Sequence, residues 1–132
     1  ISNAEWVYVS NGINITSVNA FEISGNSIIA GTTSGGIYLS KNSGTSWSQS
    51  SLNNRWITSL TIKNNIIFAG SYGTGNGVYR SLDGGNTWFQ TSLNFASVGA
   101  LAVSGNTVFA GAISPTSGVY LSTDNGASWT QT

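Results

Sequence analysis

Only eight side chains in this chain carry a formal charge: Glu5, Glu22, Asp83 and Asp124, with Lys41, Lys63, Arg55 and Arg80. There is no histidine and no cysteine. Ser-His-Asp and Cys-His nucleophile arrangements are therefore excluded, as are the common zinc sites. Cleaving a glycosidic bond would require two carboxylates placed across it. Glu5 directly precedes Trp6, and Glu22 sits between Phe21 and Ile23 on an expected inner strand. Asp83 and Asp124 stand 41 residues apart in matching local sequences. No acid/base pair remains, so no catalytic residue and no cofactor are expected. Gly73-Thr-Gly-Asn-Gly77 is glycine-rich like a phosphate loop, but it lacks the lysine and the following helix and reads as a turn.

The matching sequences around the two aspartates belong to a repeat. Trp6, Trp47, Trp88 and Trp129 are spaced by 41 residues, as are Tyr38, Tyr79 and Tyr120. Val18-Asn-Ala-Phe-Glu-Ile23 matches Ile57-Thr-Ser-Leu-Thr-Ile62 and Val98-Gly-Ala-Leu-Ala-Val103, and Ile28-Ile-Ala-Gly31 matches Ile67-Phe-Ala-Gly70 and Val108-Phe-Ala-Gly111. Two-residue indels before the first segment and after Ala-Gly cancel, which places them in loops. Each copy reads as four short strands, in the first copy roughly 18–24, 27–32, 36–40 and 46–50, and nothing sustains a helical period. Four antiparallel strands at a period near 40 predict an all-β chain of three β-propeller blades. The whole chain, residues 1–132, is one repeat domain with blades at about 6–47, 47–88 and 88–129. A leucine-rich solenoid has a shorter period and a Leu/Asn ladder that is lacking here.

A short element ends each copy: Ser40-Lys-Asn-Ser-Gly-Thr-Ser-Trp47, Ser81-Leu-Asp-Gly-Gly-Asn-Thr-Trp88 and Ser122-Thr-Asp-Asn-Gly-Ala-Ser-Trp129. Its chemistry is local. The carboxylate or amide oxygen of Asn42, Asp83 or Asp124 can accept from backbone N–H groups a few residues on. Gly44, Gly85 and Gly126 supply the positive φ of the turn. Ser40, Ser81 and Ser122 close its other side, and Trp47, Trp88 and Trp129 plug the hairpin into the core. A Ca²⁺ site is the competing reading, but one carboxylate per copy offers too few hard ligands, so no metal is expected.

In this element the chain resembles the Asp-box (BNR) repeat family, which includes sialidases, sortilin-type receptors, xyloglucan hydrolases and a photosystem assembly factor. The resemblance covers essentially the whole chain. It implies that the box lies between the third and fourth strands of each blade, is structural, and faces away from the ligand side. Asn42 departs from the pattern but keeps the acceptor oxygen. Sialidases of that family use an arginine cluster, a Tyr nucleophile with a Glu partner and an Asp acid/base. Arg55 and Arg80 cannot make such a cluster, and Arg80 takes the repeat position of Leu39 and Leu121.

The resemblance further implies that ligands meet the loops entering the first strand (11–17, 53–56, 94–97) and those between the second and third (32–36, 71–77, 112–117). Aromatics that break the repeat fall there: Trp56, Tyr72 and Phe95, with Arg55 beside Trp56. They could stack on a glycan or protein ligand, or pack between blades or at a subunit contact. Asn14-Ile-Thr16 is a formal glycosylation sequon on an expected loop.

Charged residues make up 6% of the chain, against about 25% in ordinary domains, and the net charge is zero. That argues against nucleic acid and against an electrostatic membrane anchor, and no apolar run is long enough for a spanning helix. The Ser-, Thr-, Asn- and Gly-rich surface suits an extracellular or cell-surface protein in a packed assembly. The lack of Met suggests a processed product or a piece of a longer protein, and an alternative reading of 1–4 is residues left from cloning. Propellers close with about four to eight blades. Three blades leave two open faces, and four Trp strands leave one surplus. The expected partners are copies of the chain, in a ring or filament, or further blades of a longer chain.

Overall fold

The computed structural model describes residues 11–14 and 17–132. Trp6, the surplus Trp strand, and Ile15 and Thr16 of the sequon lie outside the described residues, as do Glu5 and residues 1–4. Among the described residues twelve strands form three four-stranded antiparallel sheets, each a meander in chain order. Sheet 1 holds β1 (Val18–Ser24), β2 (Ser27–Thr32), β3 (Ile37–Ser40) and β4 (Ser48–Gln49). Sheet 2 holds β5 (Trp56–Lys63), β6 (Ile66–Tyr72), β7 (Val78–Ser81) and β8 (Phe89–Gln90). Sheet 3 holds β9 (Ser97–Ser104), β10 (Thr107–Ser114), β11 (Gly118–Ser122) and β12 (Thr130–Gln131). No described helix is long and apolar enough to cross a membrane.

The first strands β1, β5 and β9 lie side by side, so the sheets stack face to face around an inner edge. Each of these strands carries one bulge, at Asn19, Thr58 or Gly99, where the pairing register skips a residue. A bulge turns a side chain out of the sheet. Here it turns toward the next sheet: Asn19 Nδ2 donates to the Ile57 carbonyl at 2.9 Å, and Thr58 Oγ1 donates to the Val98 carbonyl. Sheet 3 has Gly99 at this position and no such donor.

The apolar core lies between sheets, in two clusters. Ile29, Ile37, Leu39 and Leu52 of sheet 1 and its connector meet Ile57, Ile67, Ala69 and Tyr79 of sheet 2. Phe68, Val78 and Leu93 of sheet 2 and its connector meet Val98, Val108, Ala110 and Tyr120 of sheet 3. Such clusters contribute through area removed from water, roughly 25 cal/mol per Å². The small residue of each Ala-Gly pair sets the spacing. A methyl group on Gly31 would come within 2.5 Å of Ile57 Cγ2, and one on Gly70 within 2.9 Å of Val98 Cγ1. At Gly111 in sheet 3 the same group would meet only Ala100 of its own sheet, at 3.8 Å.

The outer strands are shorter than the sequence suggests, two paired residues each. After β4 the chain continues along β3, with Ser50 N donating to the Ile37 carbonyl and Ile37 N to the Leu52 carbonyl. The hydrogen-bonded sheets thus span 18–49, 56–90 and 97–131, offset from a Trp-to-Trp division.

Candidate functional site

The three Ser-x-Asp/Asn hairpins share one wiring scheme. Ser81 Oγ donates to Asp83 Oδ1 at 2.9 Å and accepts from Gly85 N at 2.8 Å. Asp83 Oδ1 also accepts from Thr87 N at 2.9 Å, and Oδ2 accepts from Thr87 Oγ1 at 2.6 Å. In the third hairpin Ser122 Oγ donates to Asp124 Oδ1 at 2.7 Å, and Ser128 N and Oγ donate to the two carboxylate oxygens at 2.9 and 2.5 Å. Gly126 N donates to Ser122 Oγ at 2.8 Å. In the first, Ser40 Oγ and Ser46 N donate to Asn42 Oδ1 at 3.0 and 2.9 Å, and Gly44 N donates to Ser40 Oγ at 2.8 Å. Asn42 then reverses one bond, with Nδ2 donating to Ser46 Oγ at 2.9 Å. The amide therefore keeps the turn closed without a charge.

These bonds favour the ionised carboxylate. The Thr87 hydroxyl, then its backbone N–H, hold Asp83 down from 3.8 to about 2. The Ser128 hydroxyl and N–H hold Asp124 lower still. A carboxylate in this state accepts hydrogen bonds and is a poor proton donor at neutral pH. Because both folded values are depressed, their stabilising contribution is complete above the unfolded value and is lost as pH falls. The midpoint of urea unfolding is expected to be flat above about pH 5 and to decline from pH 4 toward 2, with Asp83→Asn removing part of that decline. A profile unchanged in Asp83→Asn would contradict this.

The hairpins also lock the sheets together. Gly85 packs against Ile29 and Leu39 of the preceding sheet, and Gly126 against Phe68 and Thr91. Trp88 and Trp129, both half-buried, pack on the two inter-sheet clusters. Trp88 Nε1 donates to the Gly85 carbonyl at 2.9 Å, and Trp129 Nε1 to Thr91 Oγ1 at 3.2 Å. Trp47 tilts against Phe21, centroids 6.4 Å apart, and its backbone N–H donates to the Asn11 carbonyl at 2.9 Å.

The loop residues divide into two kinds. Trp56 and Tyr72 are cross-strand partners, with ring centroids 4.7 Å apart, and stay 44% and 43% exposed. Arg55 Nε donates to the hydroxyl of Tyr79 at 3.3 Å, and Phe95 packs edge-on against Tyr120 at 5.9 Å. Arg55 and Phe95 thus each cap a repeated tyrosine of a sheet while remaining exposed themselves, and Trp56 and Tyr72 form an open aromatic pair. Asn14 is exposed. Glu22 accepts from the Ile23 N–H at 3.0 Å. Among the described residues no group of three acidic, His or Cys side chains comes together as a metal site.

Sequence reasoning missed two cations. Lys63 is buried, and its Nζ donates to the Asn106 carbonyl at 2.7 Å and to Asn125 Oδ1 at 2.8 Å. Arg80 Nη1 donates to the Asn125 carbonyl at 2.6 Å. Both tie sheet 2 to the hairpin of sheet 3. The available signal was that each breaks the repeat: Lys63 stands where Ser24 and Ser104 stand, and Arg80 where Leu39 and Leu121 stand.

The two outward sheet faces repeat positions that are buried within the stack. Ile57 and Val98 are 0% exposed, yet Val18, their counterpart in sheet 1, is 39% exposed. Ile37 and Val78 are 0% exposed, yet Val119 in sheet 3 is 46% exposed. Phe21 and Ile23 are exposed at one end, and Ile113 at the other.

No protein-family model matches the chain, and no curated protein matches it. Solved structures do. A computationally designed protein, Ika8, superposes with a TM-score of 0.71 at 18% identity over 92% of this chain. The GH74 enzyme of Niastella koreensis superposes at 0.67 with 22% identity over 86%, and YCF48 from Cyanidioschyzon merolae at 0.66 with 16% identity over 86%. The fold is a β-propeller fold, and the three sheets are its blades. The chain spans 38%, 21% and 36% of these three proteins' own lengths.

Proposed function

We propose that the chain is a non-catalytic, extracellular unit of the Asp-box type, built to assemble by stacking its terminal blade faces on those of further copies. The observation that carries this reading is the exposure of Val18 and Val119, at 39% and 46%, where every internal equivalent is at 0%. The two ends are also complementary in kind. Blade 3 presents Phe109, Val119 and Leu121, the counterparts of Phe68, Val78 and Arg80 or of Ile29, Ile37 and Leu39. Blade 1 presents Val18, Phe21, Ile23 and Ile28, the counterparts of Ile57, Leu60, Ile62 and Ile67, which receive that face inside the chain. End-to-end contact is heterologous, so it closes a ring or propagates a filament. Two copies would give six blades, within the usual range of about four to eight. Both aspartates bond within their own hairpins, which supports the non-catalytic part, and a surface with few charges supports an extracellular setting.

Val119→Lys places an ammonium at the centre of one end face, remote from the internal clusters. It is expected to convert associated chains to the 13.7 kDa monomer with an unchanged β-sheet circular dichroism spectrum. An undiminished mass would sink the end-face reading.

A lectin-like binding role is the second reading, favoured by the Trp56–Tyr72 pair, whose rings are in tilted contact yet open to solvent. On that reading Trp56→Ala abolishes retention on a responding glycan without lowering the unfolding midpoint. Silence of the wild-type chain across a broad glycan array would count against it.

A further inference from the structure

The two inter-blade junctions are built on the same repeat positions but differ at one of them. Between blades 2 and 3, the stem and head of Lys63 fill the space beneath the β9–β10 turn and the third hairpin. Its ammonium is held by the Asn106 carbonyl and Asn125 Oδ1. Between blades 1 and 2 the position of Lys63 is Ser24, and that of Arg80 is Leu39. Neither cation of the second junction has a counterpart in the first.

At the first junction there is instead an open cleft of about 320 Å³. Its walls are Ile29, Ile62, Ile67 and Leu82. Ser24 lies at the point where a lysine stem would enter. Asn65, Asp83 and Gly84 line the far side, and Asn65 is the repeat counterpart of Asn106. Asp83 holds its carboxylate ionised through its hairpin bonds. The nearest lysine of blade 1, Lys41, is committed to Asn86 Oδ1 at 2.9 Å.

We infer that this cleft is a binding site for a primary alkylammonium group, taken in the pose that Lys63 holds one junction further on. The isoleucines and Leu82 cover a chain of methylenes, as apolar walls do for a snorkelling lysine. The Asn65 carbonyl accepts from the ammonium as the Asn106 carbonyl does. Gly84 offers no side chain where Asn125 stands, and Asp83, which lines the cleft, supplies a negative charge there. The cleft volume is in the range of small-ligand sites. The shared chemistry belongs both to a free alkylamine and to the side chain of a protein lysine. The site is independent of whether the chain self-assembles.

The test is an amide-resolved NMR titration of the intact chain with pentylamine at neutral pH, beside pentanol and pentanoate. Saturable shifts at Ser24, Asn65 and Gly84 in the millimolar range are expected for pentylamine, at least tenfold weaker binding for pentanol, and none for pentanoate. Ser24→Lys supplies the stem in cis and is expected to weaken pentylamine binding at least tenfold. Asp83→Asn keeps a residue that Asn42 accommodates in the first hairpin. It is expected to weaken pentylamine at least tenfold and leave pentanol unchanged. N-acetyl-lysine N-methylamide binding as tightly as pentylamine assigns the site to protein lysines, and weaker binding assigns it to free amines. No saturable shift, equal binding of pentanol, or undiminished binding in both variants would overturn the assignment.

Discussion

Phe68→Ala is expected to lower the unfolding free energy by about 3–5 kcal/mol, the cost of emptying the site of a fully buried phenylalanine. Phe68 is the largest side chain sealed between blades 2 and 3. Its repeat counterpart Phe109 faces outward on blade 3 and is only half-buried. In the dissociated chain, Phe109→Ala removes less area from the apolar interior and is expected to cost about 1–2 kcal/mol. The comparison is informative because assembly would bury Phe109 in the surroundings that Phe68 has. Urea unfolding at rising protein concentration is expected to bring the Phe109→Ala cost up toward that of Phe68→Ala. A Phe109→Ala cost that stays constant across concentration would mean that its face is never covered.

The second large effect is expected at Gly77. Its φ of 138° is disfavoured for other residues, and an added methyl group would stand 2.0 Å from the Leu93 carbonyl oxygen. That carbonyl accepts from Val78 N at 2.9 Å, so it cannot retreat without breaking the bond that brings the connector into the next junction. Gly77→Ala is expected to cost about 2–4 kcal/mol, combining backbone strain with overpacking. Gly75 is the control: its φ is 73°, and nothing lies within 4 Å of an added methyl group. Gly75→Ala is expected to cost about 1 kcal/mol, the conformational part alone. Equal thermal shifts for the two variants would show that the close approach at Gly77 contributes nothing.

The repeat makes the architecture legible in the sequence. Tryptophans spaced by 41 residues, Val/Ile segments and Ala-Gly pairs specified strands and their order, because a two-residue strand period and a fixed turn chemistry are local properties. The hairpin roles of Ser81, Asp83 and Gly85 were legible for the same reason, since every partner lies within six residues. What depends on the neighbouring blade was not legible. Nothing in Ile57-Thr-Ser announces that Thr58 sits on a bulge and reaches Val98. Nothing local tells Lys63 to lie buried against Asn106 and Asn125, which are 43 and 62 residues away. Trp56 and Tyr72 stood out as departures from the repeat, but their pairing required the β5–β6 register. Arg55 and Phe95 stood out equally, and packing gave each of them a repeated tyrosine to cover.

The same repeat supplies the main argument about function. Val18 and Val119 are open where their internal copies Ile57, Val98, Ile37 and Val78 are sealed, so the chain carries its own template for the missing contact. The most direct test is the solution mass of the wild-type chain by sedimentation equilibrium at tens of micromolar. Masses at integer multiples of 13.7 kDa, falling to one multiple on dilution or in Val119→Lys, are the expected result. A stable 13.7 kDa monomer at that concentration would contradict self-assembly through the blade ends.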